Sequence, residues 1–353
     1  MMKNRIALLL LLIGFFGFAQ QIIPRSYVAH YIDTPLEVDG KANEEVWKEA
    51  PFSESFIDIE GVKIPKYETQ VKMLWDDENL YFYAELKEPH IWATLKQRDT
   101  VIFYNNDFEI FIDPDGDTHN YYEFEMNALN TVWDLLIAKP YRESAPVVDS
   151  WDIQGLQTAV SINGTLNDAS DVDKSWSVEI AMPWEVLKEA SGSTELPADE
   201  FWRINFSRVN WDYELDNGVY SRKKDESGTF LPEYNWVWSP QGVINMHEPE
   251  HWGYVYFSSK PVSEKDTFTI PKDEQIRWKL YEFYRAQKAY FATNKSWATD
   301  LKAIDATPFE LEDKTLSPTL ENYSQGWIIT VKSPFSGMLY SIREDGKYSE
   351  INQ

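Results

Sequence analysis

Two stretches of this chain carry carboxylates at every second position. They are Asp107-Phe108-Glu109-Ile110-Phe111-Ile112-Asp113 and Tyr121-Tyr122-Glu123-Phe124-Glu125-Met126-Asn127. Read as paired strands, they turn Phe108, Ile110, Ile112, Phe124 and Met126 inward, and Glu109 then shares the opposite face with Glu125 and Asn127. With Asn130 close behind, that face gathers carboxylates and amides suited to bidentate hydrogen bonds with vicinal hydroxyls. The alternative is a solvated outer face of a sandwich. Two carboxyl groups could also serve as general acid and nucleophile, so Glu109 and Glu125 define a glycoside-hydrolase alternative. Between the two stretches, Asp113, Asp115 and Asp117 are spaced two apart around Gly116, which suits oxygen ligation of calcium. The twelfth position counted from Asp113 is Phe124 and not Glu, so this is not an EF-hand. The competing reading is a Pro-Asp-Gly hairpin turn with exposed acids.

Aromatic residues are the second chemical signal, with 15 Trp, 20 Tyr and 19 Phe. Exposed rings can stack on the apolar face of a pyranose, and Trp133, Trp211, Trp236 and Trp238 are candidates. Alternation along strands predicts that about half of such rings are core. His247 falls in the loop leading to the last strand of this segment, as a structural residue or at a binding rim.

These residues need a scaffold, and the pattern supplies one. From about residue 69 to 258 the period is two, broken by turn chemistry such as Asp76-Asp77-Glu78-Asn79 and Pro114-Asp115-Gly116-Asp117, the signature of antiparallel strands. Further strands are expected at Val132 to Ala138, Gly155 to Ile162, Trp176 to Ala181, Phe201 to Val209 and Gly253 to Ser258, with short helices at Asn43 to Glu49 and Pro183 to Glu189. The fold class is mainly β, an antiparallel, jelly-roll-like sandwich over residues 20–260. Beyond Pro261 apolar residues recur at helical spacing from Ile276 to Phe291, and short strand patterns follow at 327–331, 338–342 and 347–351. Residues 261–353 therefore read as a small α+β appendix.

Composition bounds the function. The 353 residues carry 33 Lys plus Arg against 58 Asp plus Glu, a formal charge of −25, which would repel a phosphate backbone and excludes nucleic acid as a partner. The absence of cysteine excludes disulfides, thiolate metal sites and a thiol nucleophile. Residues 1–19 run from Lys3 and Arg5 through an apolar stretch to Ala19, the form of a cleaved signal peptide. A secreted or periplasmic protein with no membrane span after cleavage is expected.

Three blocks carry a family resemblance: Pro35 to Trp47, reading Pro-Leu-Glu-Val-Asp-Gly-Lys-Ala-Asn-Glu-Glu-Val-Trp; Trp75-Asp76-Asp77-Glu78-Asn79-Leu80-Tyr81; and Asn106 to Asp113. In this order they resemble the family 9 carbohydrate-binding module, and the stretches Tyr121 to Asp134 and Trp238 to His247 look like its family 9-like relatives. The resemblance spans roughly residues 33 to 257. It implies a sandwich that binds oligosaccharide or polysaccharide without chemistry, in the setting of carbohydrate breakdown, with bound calcium. It places the two sugar-clamping rings, Trp in the family, at Phe103 and Met246. It further implies ligand contacts at Glu109, Asn127 and Asn130, with Glu125 standing where the family has Arg and Arg208 where it has an amide.

Overall fold

The computed structural model describes residues 22–351, so the expected signal peptide lies outside the described residues. Fifteen strands form the first part of the chain: β1 Ser26–Tyr31, β2 Ile57–Asp58, β3 Thr69–Trp75, β4 Asn79–Lys87, β5 Asp107–Asp113, β6 Tyr121–Asn127, β7 Val132–Ile137, β8 Val147–Val148, β9 Gln157–Asn163, β10 Ser175–Pro183, β11 Phe201–Asn210, β12 Tyr213–Asp216, β13 Val219–Arg222, β14 Tyr234–Val237 and β15 Gly253–Pro261. One ladder runs β8-β7-β6-β5-β11-β15-β1-β3-β4-β10-β9, with β14 added on β11 and β2 on β14. β1 pairs in parallel with both neighbours, and every other pairing in this ladder is antiparallel.

The ladder folds over on itself because alternate residues on each strand are large and apolar. Phe108, Ile110 and Ile112 of β5, Phe124 and Met126 of β6, and Ile204 and Phe206 of β11 meet Val71 and Met73 of β3, Phe82 and Ala84 of β4, and Val178 and Ile180 of β10 in one buried core. The Phe82 and Phe206 rings cross it edge to face at 5.7 Å. The sandwich read from the sequence is therefore the observed fold, and the expected short helices appear at Glu45–Glu49 (α1) and Trp184–Leu187 (α2).

The blocks that resemble a known family serve this fold directly. Trp47 Nε1 donates to Glu179 Oε1 at 2.8 Å, and the N–H groups of Asp39 and Gly40 donate to Glu179 Oε2, fastening the N-terminal segment to β10. Gly40 has φ +85°, and a Cβ there would lie 2.9 Å from the backbone of Val160 and Ser161, so only glycine fits. Asp76 accepts from the N–H groups of Glu78 and Asn79 and from the Tyr81 hydroxyl, closing the β3–β4 hairpin. Gly253 follows Trp252 because a Cβ at 253 would stand 2.3 Å from the Trp238 ring.

The C-terminal part has its own core. Helix α3, Glu274–Asn294, lays Ile276, Leu280, Phe283 and Tyr284 on a four-stranded sheet, burying Trp327, Ile329, Val331, Tyr340 and Ile342. Two strand pairings here, Phe309–Leu311 with Lys314–Leu316 and Thr319–Asn322 with Trp327–Lys332, go beyond the sequence reading.

The junction with the sandwich is polar. Arg203 of β11 meets Glu274 at 3.3 Å, with both side chains buried, while Tyr254 donates to the same carboxylate at 2.7 Å. Glu250 takes Arg285 at 2.7 Å and Arg142 at 3.1 Å; although burial raises its pKa, these two cations hold it down to about 2.

Removing one member of a buried pair leaves the other uncompensated, at about 3–5 kcal/mol. Glu274→Gln is accordingly expected to lower unfolding free energy by about 3 kcal/mol or more, read by chemical denaturation. A loss below about 1 kcal/mol would mean that water already solvates Arg203 at this junction.

Candidate functional site

The reverse face of β5 and β6 carries the acidic residues, and the register fixes their neighbours. Glu109 pairs with Glu125, Asp107 with Asn127 and Phe111 with Glu123, while Ser207 of β11 stands opposite Glu109 and Trp133 of β7 opposite Glu125. This face is not open to solvent. Asp107, Glu109, Glu123 and Glu125 are 0%, 5%, 4% and 2% exposed, so neither a solvated surface nor a shallow platform describes it.

The chain itself supplies the cover. On one side is the turn Ile102–Tyr104, whose Phe103 N–H donates to Glu125 Oε2 at 3.0 Å and whose Phe103 and Tyr104 rings pack at 4.8 Å. On the other, Tyr141 packs its ring 3.8 Å from His247, and His247 Nδ1 shares a 3.0 Å hydrogen bond with the Tyr121 hydroxyl. Further along the same face, Phe111, Tyr121, Leu135, Ile137 and Trp252 form an apolar patch that includes Met246 at its edge.

Electrostatics follow from burial without cations. Among the described residues no Lys or Arg is seen in an ion pair with these four carboxylates, and His247 Nε2 lies 3.9 Å from Glu123 Oε1. Burial pushes Glu109 up to about 7. Burial, followed by repulsion from their acidic neighbours, holds Asp107, Glu123 and Glu125 well above the usual carboxylate range. Burial also lowers His247 to about 3, which leaves the imidazole neutral at physiological pH. Tyr141, 45% exposed at the rim, has its phenol raised by burial and then by Glu123, Glu125 and Glu109.

The structure therefore brings together Glu109, Glu125, Phe103 and His247. It assigns other sequence candidates elsewhere. Asn127 shares the face, but its amide donates to the Leu95 carbonyl and its oxygen accepts from the N–H groups of Leu129 and Thr131, so it shapes the turn after β6. Asn130 lies in that turn with φ +60° and donates to the Thr158 carbonyl. Arg208 points to the opposite side of β11, where it is buried against Glu88 at 2.6 Å and over Trp236, because the period of two sets 208 against 207. Trp236 and Trp238 are 2% and 1% exposed core rings, and Trp211 packs among Trp92, Val209 and Tyr220; these three are not stacking platforms.

Asp113, Asp115 and Asp117 do converge, with one oxygen each within 4.8 Å of the others. Lys347 reaches Asp117 at 2.6 Å, the Arg277 guanidinium lies against Gly116, and Thr118 N–H donates to Asp113 Oδ2, while Asp113 Oδ1 is buried without a partner and burial, with repulsion from Asp115 and Asp117, holds Asp113 well above the usual carboxylate range. Tyr348 N–H and the Thr118 hydroxyl tie the same loop to the C-terminal part. The loop thus docks the C-terminal part on the sandwich.

Sequence reasoning passed over Asp107, Glu123, Ser207 and Tyr141. The first two carried a signal, since they hold the same parity as Glu109 and Glu125. Ser207 and Tyr141 carried none, because strand pairing and loop placement bring them in.

Comparison with known proteins adds the following. Residues 38–200 match the family model described as carbohydrate family 9 binding domain-like. Among solved structures, similar chains include a Bacteroides uniformis protein with a provisional carbohydrate-binding description, at 16% identity and TM-score 0.49, covering 67% of this chain and 100% of that one. Two more are family 9 carbohydrate-binding modules of Caldicellulosiruptor kristjanssonii. The one in complex with cellotriose has 15% identity and TM-score 0.43 over 70% of this chain and 98% of that one. The one in complex with glucose has 15% identity and TM-score 0.41 over 70% and 100%. No curated protein sequence matches this chain significantly.

A raised carboxyl pKa weakens the fold as pH climbs. Between about 4.5 and 7 the folded chain keeps a proton on Glu109 that the unfolded chain releases, so stability falls across that window. The expected size is on the order of 3 kcal/mol. Glu109→Gln, measured by denaturation in chelator from pH 5 to 7.5, is expected to lessen this decline, to which Asp107, Glu123 and Glu125 also contribute, and to be the more stable protein at neutral pH. An unchanged pH slope would place Glu109 in a solvated setting.

Proposed function

Because residues 38–200 match the carbohydrate family 9 binding domain-like family, we propose that this protein binds carbohydrate outside the cytoplasm, without chemistry, as a recognition component of polysaccharide breakdown. The observation that carries the reading is the make-up of the site, a floor of hydrogen-bonding carboxyl groups flanked by two aromatic pairs. Phe103 and Tyr104 form one side, with Tyr104 46% exposed, and Tyr141 stacked on His247 forms the other. By the resemblance Phe103 stands at the first clamp position, and Tyr141 packs on His247, next in sequence to Met246 at the second. A tyrosine ring offers an apolar face and a hydroxyl, the combination that a pyranose face and its fringe of hydroxyls require.

Two carboxyl groups of a glycosidase flank a scissile bond with a sugar between them. Here Glu109 and Glu125 are direct cross-strand partners on one floor, and their oxygens converge within 4.8 Å. That spacing is close to the about 5 Å of a retaining pair, so the non-catalytic reading rests on the family match and not on this distance. Among the described residues no helix is long and apolar enough to cross a membrane.

One observation favours a second reading, a sandwich serving as an interaction module. The floor carboxylates are at most 5% exposed, so a sugar must enter by displacing Tyr141 or the Phe103 turn. A glycan array followed by calorimetric titration with the best oligosaccharide separates the two. Sugar binding is expected, and Tyr141→Ala and Tyr104→Ala should each weaken it more than tenfold, or about 1.4 kcal/mol. Absence of any glycan ligand would leave the interaction module, and wild-type affinity in both variants would move the site off this face.

A further inference from the structure

Two carboxylate clusters in this chain look alike in sequence and differ in what surrounds them. The Asp113 loop has Lys347 and Arg277 against it. The floor of the β5–β6 face has neither, and yet it is the more deeply buried. Asp107, Glu109 and Glu125 each offer one oxygen, and these atoms all lie within 4.8 Å of one another. That separation is the span of a single coordination sphere, since oxygens on opposite sides of an ion bound at about 2.4 Å are about 4.8 Å apart.

A second observation is independent of that triad. Glu123, 4% exposed, stands on the same face, and its Oε2 is buried without a hydrogen-bond partner. Within the triad, Asp107 Oδ1 accepts from the Val209 N–H at 3.2 Å, while Oδ2 is buried and unpartnered. Buried carboxylate oxygens without partners are costly to keep, and native proteins retain few of them unless a ligand completes the set. The Ser207 hydroxyl opposite Glu109 is a further oxygen donor on the floor.

We propose that Asp107, Glu109 and Glu125, with Glu123 beside them, bind one divalent cation of the calcium class at the floor of the β5–β6 face. Hard oxygen ligands with no sulfur or imidazole in the triad select calcium or magnesium over zinc or copper. Magnesium gives up its waters reluctantly and holds strict octahedral geometry, whereas calcium accepts six to eight oxygens in irregular arrangement, as a dry protein cage provides. The cation supplies the positive charge that no side chain brings to this face, and it fixes the carboxylates in place. The inference is independent of sugar binding, so its test contains no sugar.

The purified full chain, stripped with EDTA and dialysed, is titrated with CaCl₂ by calorimetry and followed by thermal denaturation. Terbium luminescence, sensitised by the nearby Tyr and Trp rings, gives a second reading in the folded state. The expected result is one calcium per chain, a rise in melting temperature with calcium, and at least tenfold weaker binding in the double variant Glu109→Gln/Glu125→Gln. Asp115→Asn, in the other cluster, should bind as the wild type does. If the double variant does not fold, Glu123→Gln with terbium displacement by calcium replaces it, and weakened binding is again expected. No calcium-dependent shift, or loss of binding in Asp115→Asn with the double variant unaffected, would overturn the assignment. So would stabilisation by a simple primary amine such as methylamine in place of calcium.

Discussion

Placing carboxylates on the reverse side of a core strand is the constraint on which this structure turns. Phe108, Ile110 and Ile112 must face inward to close the sandwich, so Asp107 and Glu109 are forced to the other side of β5. On most antiparallel sheets that side meets water. Here the Phe103 turn, the Tyr141 turn and the loop of Met246 and His247 fold over it, and four acids are sealed with few partners. Their raised protonation behaviour and the neutral His247 are both consequences of that cover.

The C-terminal part solves the opposite problem. Its helix and sheet already bury a core of their own, so it meets the sandwich through charge and not through apolar area. Arg203 pairs with Glu274, Glu250 with Arg142 and Arg285, and Asp345 with Lys139 across this junction. Asp345 is held well below the ordinary range: burial alone would raise it, and hydrogen bonds from His119, Lys139 and Arg343 overcome that. These paired acids differ from Asp107, Glu109, Glu123 and Glu125, against which no Lys or Arg stands in an ion pair among the described residues.

The family-like blocks Pro35 to Trp47 and Trp75 to Tyr81 have structural rather than ligand-facing roles. Glu179 gathers Trp47 and the backbone at Asp39 and Gly40, and Asp76 closes a hairpin. The block Asn106 to Asp113 is different, since its outward residues form the floor. A match to a fold and a match to a ligand site are carried by separate residues.

The sequence by itself determined the alternation: which residues of β5 and β6 face the core, that Glu109 and Glu125 share a face, and that α3 and three strands follow the sandwich. These follow from periods of 2 and 3.6, which are local properties of the backbone. Only the tertiary structure decided whether an outward residue is exposed. Trp238 reads as a platform in sequence and is core because Gly253 lets β15 approach it. Arg208 reads as a site residue and is turned away by the parity that aims Ser207 at Glu109. Asp113, Asp115 and Asp117 read as a metal loop and meet Lys347, over 200 positions distant along the chain. The cover over the floor comes from loops whose sequences carry no period. Burial and charge compensation depend on long-range neighbours, and no local pattern encodes them.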